Sequence, residues 1–186
     1  MEIKVLHTVE YLVGNLDNID NIKLKANILR NYEDCNFMEE DTESIRHEDI
    51  RIDLFPEVKK LMNSVMDKFY EQYGEKLKPV PSSDINEVVW AVVHDHNEST
   101  NWHDHATHHN YDGGAKVSAV YYVDVPEKSG DIVFKCDENP FVSKMYVEKA
   151  ETGKFILFDS TLQHCVTKNL SNQKRIIISM NFTYDE

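Results

Sequence analysis

Histidine is the residue type in this sequence that most clearly points to chemistry. Nine of the 186 residues are histidine, and seven of them fall between His94 and His164. In the segment His103-Asp104-His105, two histidines stand two residues apart. Alternate residues of an extended chain point to the same side, so His103 and His105 project together and Asp104 projects to the opposite face. Two imidazoles on one face can hold a divalent transition metal.

A third ligand is needed, and His164 is the candidate for it. It follows a predicted strand at residues 154–158. A pair of ligands two residues apart with a distant histidine, all in β structure, resembles the facial triad of non-haem iron oxygenases. One ligand of that triad is usually a carboxylate, so an all-histidine triad would be a variant. The pattern leaves two ligand sets open: His103, His105 and His164, or a set in which Asp104 takes the place of His105. Either set leaves coordination positions open for catalysis.

The other histidines of this stretch have patterns more typical of surface residues. His108 and His109 lie among polar residues, and we expect them to be exposed. His94 and His96 precede His103 closely, so we expect them to line the mouth of the site.

One arginine stands out because of the strand that it opens. Arg175 comes eleven residues after His164 and begins an otherwise apolar strand. By the period of two, Arg175 shares a face with Ile177, Ser179 and Asn181. An arginine in such a strand is costly to bury without a partner, and a dicarboxylate cosubstrate would supply one through bidentate hydrogen bonds. The alternative is an edge-strand arginine that reaches solvent.

Two helices and a series of strands must position these residues. The spacing of apolar residues predicts one helix within residues 18–31 and another from Pro56 to a stop at Gly74. After Pro81 the chain consists of short segments rich in Val, Ile, Phe and Tyr, separated by turn signals. The predicted strands are residues 88–93, 116–125, 131–134, 154–158 and 175–182. They predict an antiparallel barrel or sandwich with the two helices packed on one outer face.

We predict a single domain over residues 1–186. Residues 1–80 would supply an N-terminal strand and the supporting helices, and residues 81–186 would form the β core. Residues 36–51 are predicted to be a polar loop. The boundary near residue 80 is a change of layer, since neither half alone could bury its apolar face.

Composition narrows the classes of partner. Lys and Arg number 20 and Asp and Glu number 33, which gives a net charge of −13. Such an acidic chain repels phosphate backbones, so we expect no nucleic-acid partner. No apolar run is long enough to span a bilayer, so we expect no membrane partner either. Three cysteines without paired spacing favour a reducing compartment, and we expect a cytoplasmic protein.

Roughly the last hundred residues resemble the Fe(II)- and 2-oxoglutarate-dependent oxygenase family, and three stretches carry the resemblance. Residues 102–105 are similar to the family's first ligand motif. Residues 118–126 and 130–134 are similar to its second core strand and the hairpin that follows. Residues 153–169 and 174–181 are similar to the segment of the distal ligand and the cosubstrate. The prolyl-hydroxylase-like branch and the oxygenases of phage and bacteria are the most similar members.

The resemblance implies a mainly β fold with supporting α-helices around a double-stranded β-helix core of the jelly-roll or cupin type. It implies that His103 and His164 are metal ligands and that His105 stands where the family usually has a carboxylate. It also implies that Arg175 pairs with the distal carboxylate of 2-oxoglutarate and that Tyr122 supports the same carboxylate.

The resemblance implies further cofactor-binding positions. Val166 matches a small residue that lines the family's site beside its second metal-binding histidine, which is His164 here. The family often has a serine two residues after the arginine; here that position is Ile177. Either Ser179 or Asn181 substitutes for the serine, or no residue does.

The implied function is that of a dioxygenase that uses Fe(II), 2-oxoglutarate and O2 to hydroxylate a protein side chain or a small molecule, with release of succinate and CO2. Two alternatives stay open: a cupin-like three-histidine metal enzyme that does not use 2-oxoglutarate, and a non-catalytic β-barrel binding protein. We expect residues 95–115 and a loop at 136–152 to frame the substrate entrance, with the aromatic residues Trp102, Tyr111, Phe141 and Tyr146. No motif specifies the substrate or the oligomeric state.

Overall fold

The computed structural model describes residues 9–34, 52, 55–83, 87–106, 114–139 and 141–185. The polar loop predicted for residues 36–51 lies outside the described residues. The first eight residues, His108, His109 and Tyr111 lie outside them as well.

Both predicted helices are present. They are α1 (Asn21–Asp34) and α2 (Pro56–Tyr73). Helix α2 ends at Gly74, which adopts a φ of 73° and donates its backbone N–H to the carbonyl oxygen of Tyr70 at 2.9 Å. This left-handed C-cap is a conformation that glycine adopts without steric cost. Neither described helix has the length and apolar character that crossing a membrane would require.

Ten strands in the described part of the chain form two antiparallel sheets. The strands are β1 (Tyr11–Asn15), β2 (Leu77–Pro79), β3 (Val89–His94), β4 (Thr100–His103), β5 (Val117–Asp124), β6 (Ile132–Asn139), β7 (Val142–Glu148), β8 (Lys154–Asp159), β9 (His164–Val166) and β10 (Arg175–Tyr184). The six-stranded sheet has the order β1-β8-β5-β10-β2, with β3 also paired to β10, and the four-stranded sheet has the order β4-β9-β6-β7. The predicted mainly β fold with supporting helices is confirmed.

Strand β10 shows how the sequence builds the layers. One set of its side chains packs with the helices in the larger apolar cluster: Ile176, Ile178, Met180 and Phe182. The alternate set faces a cavity lined by both sheets: Arg175, Ile177, Ser179 and Asn181. Because alternate residues of a strand face opposite sides, the set that packs with the helices is entirely apolar, and the set that faces the cavity carries the polar residues together with Ile177. The predicted shared face of the second set is confirmed.

The segment at 136–152 corrects the sequence analysis. Residues 136–139 and 142–148 are strand rather than loop, because β6 and β7 pair there as an antiparallel hairpin. Strand β7 escaped prediction because it is exposed on both faces, which removes the alternation of buried and exposed side chains. Strands β4 and β9 escaped prediction because they have only four and three residues.

Candidate active site

The candidate site is a cavity of about 360 Å³ that is lined by residues of both sheets. His103 on β4 and His164 on β9 come from the four-stranded sheet. Tyr122 on β5 and Arg175 on β10 come from the six-stranded sheet. The fold therefore brings together the candidate metal ligands and the candidate cosubstrate residues from distant parts of the chain.

The three candidate histidines converge on one point. His103 and His164 are partners in the β4–β9 register, and their ring centroids are 4.2 Å apart. His105 lies just past the end of β4, where its backbone N–H donates to the carbonyl oxygen of Ser160 at 2.8 Å. One ring nitrogen of each histidine lies within 4.8 Å of the other two. This spacing suits three ligands of a single metal ion, whose Nε2–metal distances are about 2 Å for imidazole.

Each of the three rings is oriented by a hydrogen bond at Nδ1. His103 and His164 donate Nδ1–H to the backbone carbonyl oxygen two residues earlier in the chain, at 2.8 and 2.9 Å. His105 donates Nδ1–H to Oδ1 of Asn181 at 2.9 Å. A neutral imidazole carries one N–H, so Nε2 of each ring has a lone pair. The Nε2 atoms of His103 and His105 lie only 3.3 Å apart, and a cation between these lone pairs would stabilise the arrangement.

Asp104, the alternative second ligand, is not part of this group. Its side chain is exposed, and its Oδ1 accepts a hydrogen bond from the backbone N–H of Ala106 at 3.1 Å. Within the described ranges, the three-residue group that could hold a metal ion is His103, His105 and His164. The geometry therefore favours the all-histidine set over the set with Asp104.

Burial keeps the distal histidine neutral. His164 is 4% exposed. Burial, and then repulsion from the neighbouring His103 and His105, lowers the pKa of His164 to about 3. Metal binding requires the neutral imidazole, so His164 is in the ligating protonation state at physiological pH without first losing a proton.

The cavity also contains two buried polar side chains, those of Arg175 and Tyr122. Both side chains are fully buried. In the described part of the chain, the three guanidinium nitrogens of Arg175 and the hydroxyl of Tyr122 have no hydrogen-bond partner. The guanidinium carbon lies 5.6 Å from the centre of the Tyr122 ring. Burial is the main cause that lowers the pKa of Arg175 and raises the pKa of Tyr122. A buried cation without a partner is costly, so this end of the cavity is built to receive an anion.

The other predicted cofactor residues also lie at the cavity. Val166 and Ser179 are buried and line it. Asn181 lines it too, but its side chain is hydrogen-bonded to His105. Sequence reasoning missed this contact because 76 positions separate the two residues and no local pattern joins them.

The expected entrance residues divide into two groups. Trp102 is 46% exposed and lines the cavity. His94, His96, Phe141 and Tyr146 are absent from its lining among the described residues. Phe141 and Tyr146 lie instead on the exposed β6–β7 hairpin.

The β core of the chain matches a known protein family. A family model described as "Putative 2OG-Fe(II) oxygenase" matches residues 88–181, which is just over half of the chain. The chain belongs to this family. Its members use Fe(II), 2-oxoglutarate and O2, and this chain is accordingly a 2-oxoglutarate-dependent oxygenase. No curated protein matches the sequence.

Three solved structures resemble the fold. The α-ketoglutarate-dependent carbocyclase SnoK from nogalamycin biosynthesis has a TM-score of 0.68 and 13% identity, over 95% of this chain and 80% of SnoK. HygX from Streptomyces hygroscopicus, with nickel and 2-oxoglutarate bound, has a TM-score of 0.63 and 10% identity, over 94% and 83%. A prolyl hydroxylase from Trichoplax adhaerens, in complex with a hypoxia inducible factor peptide, has a TM-score of 0.61 and 16% identity, over 92% and 82%. At these identities the likeness concerns the fold, and it confirms the jelly-roll core.

Proposed function

We propose that this oxygenase binds Fe(II) through His103, His105 and His164, and that Arg175 and Tyr122 bind the distal carboxylate of 2-oxoglutarate. One observation carries the proposal. A single cavity holds three convergent imidazole nitrogens and a buried guanidinium without a partner among the described residues. The imidazoles suit a cation and the guanidinium suits an anion, and these are the requirements of a metal ion chelated by a dicarboxylate.

The protonation states of the residues support this assignment. Because the pKa of Tyr122 is raised, its hydroxyl keeps its proton and can donate a hydrogen bond to a carboxylate. Arg175 offers several N–H donors in a planar fork, which matches a carboxylate bidentately. When bound, Fe(II) and 2-oxoglutarate supply the oxidising chemistry, in which O2 is consumed, succinate and CO2 are released and an oxygen atom reaches the substrate.

We further propose that the reaction is the hydroxylation of a protein side chain or a small molecule. Val120, Phe158 and Ile177 give the cavity apolar walls, which exclude water and suit an aliphatic C–H bond. Trp102 at the mouth offers an aromatic surface for the rest of the substrate. SnoK acts in the biosynthesis of a small molecule and the Trichoplax enzyme was solved with a peptide, so both substrate types occur among the structural relatives.

The two alternatives account for less of the site. A three-histidine enzyme that does not use 2-oxoglutarate has no need of Arg175 and Tyr122 in the cavity of the histidines. A non-catalytic barrel has no need of three rings that are each oriented through Nδ1. A cytoplasmic location stays a prediction; it fits the free thiols of Cys136 and Cys165.

An anaerobic titration tests the proposal. Metal-free protein receives Fe(II) and then 2-oxoglutarate, and the visible charge-transfer band of the chelated iron is recorded. We expect the band in the wild type, its loss in His164→Ala, and a tenfold or greater increase in the 2-oxoglutarate concentration needed in Arg175→Ala.

Two matched variants control for general damage. His96 is exposed and bonds to a backbone carbonyl outside the cavity, and Lys174 pairs with Asp95. His96→Ala and Lys174→Ala should keep the band. Bound iron without a band would favour an enzyme that does not use 2-oxoglutarate, and no bound iron would favour the non-catalytic barrel.

A further inference from the structure

We infer that Asn181 is a positioning residue for the second metal ligand: it holds the ring of His105 and keeps the proton of that ring on Nδ1, so that Nε2 faces the metal. The inference rests on the proposed function only in naming His105 as an iron ligand. It gives Asn181 a role distinct from the cosubstrate contact expected from the sequence.

The orientation of the Asn181 amide follows from its contacts. Its Nδ2 donates to the backbone carbonyl oxygen of Glu87 at 2.9 Å. A carbonyl oxygen can only accept, so the NH2 group must be on that side and Oδ1 on the other. Oδ1 lies 2.9 Å from Nδ1 of His105 and also accepts from the hydroxyl of Ser118 at 2.9 Å. Since Oδ1 can only accept, Nδ1 of His105 must carry the hydrogen.

His105 depends on a hydrogen bond to a distant side chain, whereas the other two histidines do not. His103 and His164 lie in paired strands and donate to backbone carbonyls of their own segments. His105 lies beyond the end of β4, and its acceptor is a side chain on β10. Among the three histidines, His105 is therefore the one whose ring is fixed by a residue of the opposite sheet.

The support behind Asn181 is itself buried and hydrogen-bonded. Asn181 is 5% exposed, and Ser118 and Ser160 are fully buried. The hydroxyls of Ser118 and Ser160 lie 2.9 Å apart, and the carbonyl oxygen of Ser160 accepts the backbone N–H of His105. The ring and the backbone of His105 are thus tied to one polar cluster of Ser118, Ser160 and Asn181. Removing the partner of a ligating histidine typically weakens metal binding ten- to a hundredfold.

The experiment uses the full-length protein in two measurements. Two-bond proton–nitrogen NMR of the histidine rings reports the tautomer of His105 in the metal-free state. A Co(II) titration, followed by visible absorption, reports metal affinity without any turnover. The variants are Asn181→Leu, which loses the acceptor but keeps a branched side chain of the same length, and Asn181→Asp, which keeps an oxygen acceptor but sets a second oxygen against the Glu87 carbonyl. Tyr121→Phe is the control, because it removes a hydrogen bond of a fully buried side chain to Asn21, on the face of β5 away from the cavity.

We expect Asn181→Leu to populate the Nε2-protonated tautomer and to weaken Co(II) binding ten- to a hundredfold. Asn181→Asp should lower the melting temperature yet keep the Nδ1-protonated ring and a Co(II) affinity within about threefold of the wild type, a combination that a merely structural role would not produce. Tyr121→Phe should keep both signals.

An unchanged tautomer and affinity in Asn181→Leu would overturn the inference, as would equal losses of affinity in the Leu and Asp variants. If Asn181→Leu does not fold, the Asp variant still decides between the two roles. If the wild type binds no metal, the proposed function fails, while the tautomer of the metal-free ring still tests Asn181.

Discussion

At the scale of single residues, two buried polar groups of the cavity lower the stability of the ligand-free protein and are available to bind a carboxylate. The hydroxyl of Tyr122 and the guanidinium of Arg175 are buried, and neither has a hydrogen-bond partner within the described ranges. Such a group costs the folded state about 1–3 kcal/mol. A bound carboxylate supplies the missing hydrogen bonds and offsets this cost. Removing either polar group should therefore raise the stability of the ligand-free protein and lower its affinity for the carboxylate.

The Tyr122→Phe variant tests whether this hydroxyl lowers stability and contributes to the binding of 2-oxoglutarate. The ligand-free protein should lose no stability and gain up to about 1 kcal/mol, because the unsatisfied hydroxyl is removed. The affinity of the metal-loaded protein for 2-oxoglutarate should fall about tenfold, because a hydrogen bond to a charged group is worth about 1.5 kcal/mol or more. Urea unfolding and anaerobic calorimetry measure the two effects.

The neighbouring tyrosine supplies the control. Tyr121 points to the other face of β5, where its hydroxyl donates to Oδ1 of Asn21 at 2.9 Å. Tyr121→Phe should therefore lose about 1 kcal/mol of stability and keep its affinity for 2-oxoglutarate. A Tyr122→Phe protein that loses stability and binds 2-oxoglutarate normally would contradict the proposed role.

The sequence could predict residues whose role follows from local periodicity. His103 and His105 are two positions apart, and Arg175 opens a strand in which alternate side chains share a face, so their common directions could be anticipated. Asn181 could not be assigned in the same way. Its partner His105 is brought to it by the pairing of distant strands, which no local pattern records.

At the scale of elements, the strand that carries His164 depends on a close approach to the turn before β6. Gly130 in that turn has a φ of 91°, and a Cβ atom there would lie 2.2 Å from the carbonyl oxygen of Thr167, just after β9. Only glycine fits both the conformation and the space.

Gly130→Ala and Gly74→Ala make a matched pair that separates these two requirements. Gly74 also has a positive φ, but a Cβ atom there would meet nothing within 4 Å. Gly74→Ala should therefore cost only the left-handed conformation, about 1–2 kcal/mol. Gly130→Ala should cost at least about 1 kcal/mol more, because backbone must move.

Urea unfolding of both variants measures this difference, and Co(II) titration shows whether the displacement reaches His164. We expect weaker Co(II) binding in Gly130→Ala and wild-type binding in Gly74→Ala. Equal destabilisation of the two variants would show that β9 accommodates a side chain at position 130.

The elements that could be predicted are those with long, distinctive patterns. Helix α2 has an apolar stripe with a proline start and a glycine stop, and β10 is a ten-residue strand rich in isoleucine. Strands β4 and β9, which carry His103 and His164, have four and three residues, which is too short for a period to emerge. Their pairing is a consequence of the whole jelly roll, which the family resemblance implied and local propensity did not.

At the scale of the whole molecule, the site joins the two sheets. His103 and His164 belong to the four-stranded sheet, and Tyr122 and Arg175 belong to the six-stranded sheet. 2-Oxoglutarate that contacts the metal at one end and Arg175 at the other would bridge them. The metal ion alone or 2-oxoglutarate alone would not connect the two sheets. The two ligands together should therefore stabilise the fold cooperatively.

Thermal unfolding with Mn(II) and 2-oxoglutarate, separately and together, tests this cooperativity. A ligand present at 100 times its Kd stabilises by about 2.7 kcal/mol, which corresponds to a rise of about 5–10 °C in Tm for a domain of this size. The rise with both ligands should exceed the sum of the separate rises.

Glutarate is the control ligand, because it keeps both carboxylates but lacks the keto oxygen needed for chelation, and its effect should only add to that of the metal. Additive shifts with 2-oxoglutarate would mean that the two sheets are not bridged through the site, since coupling between two ligands requires that each change the free energy of binding the other.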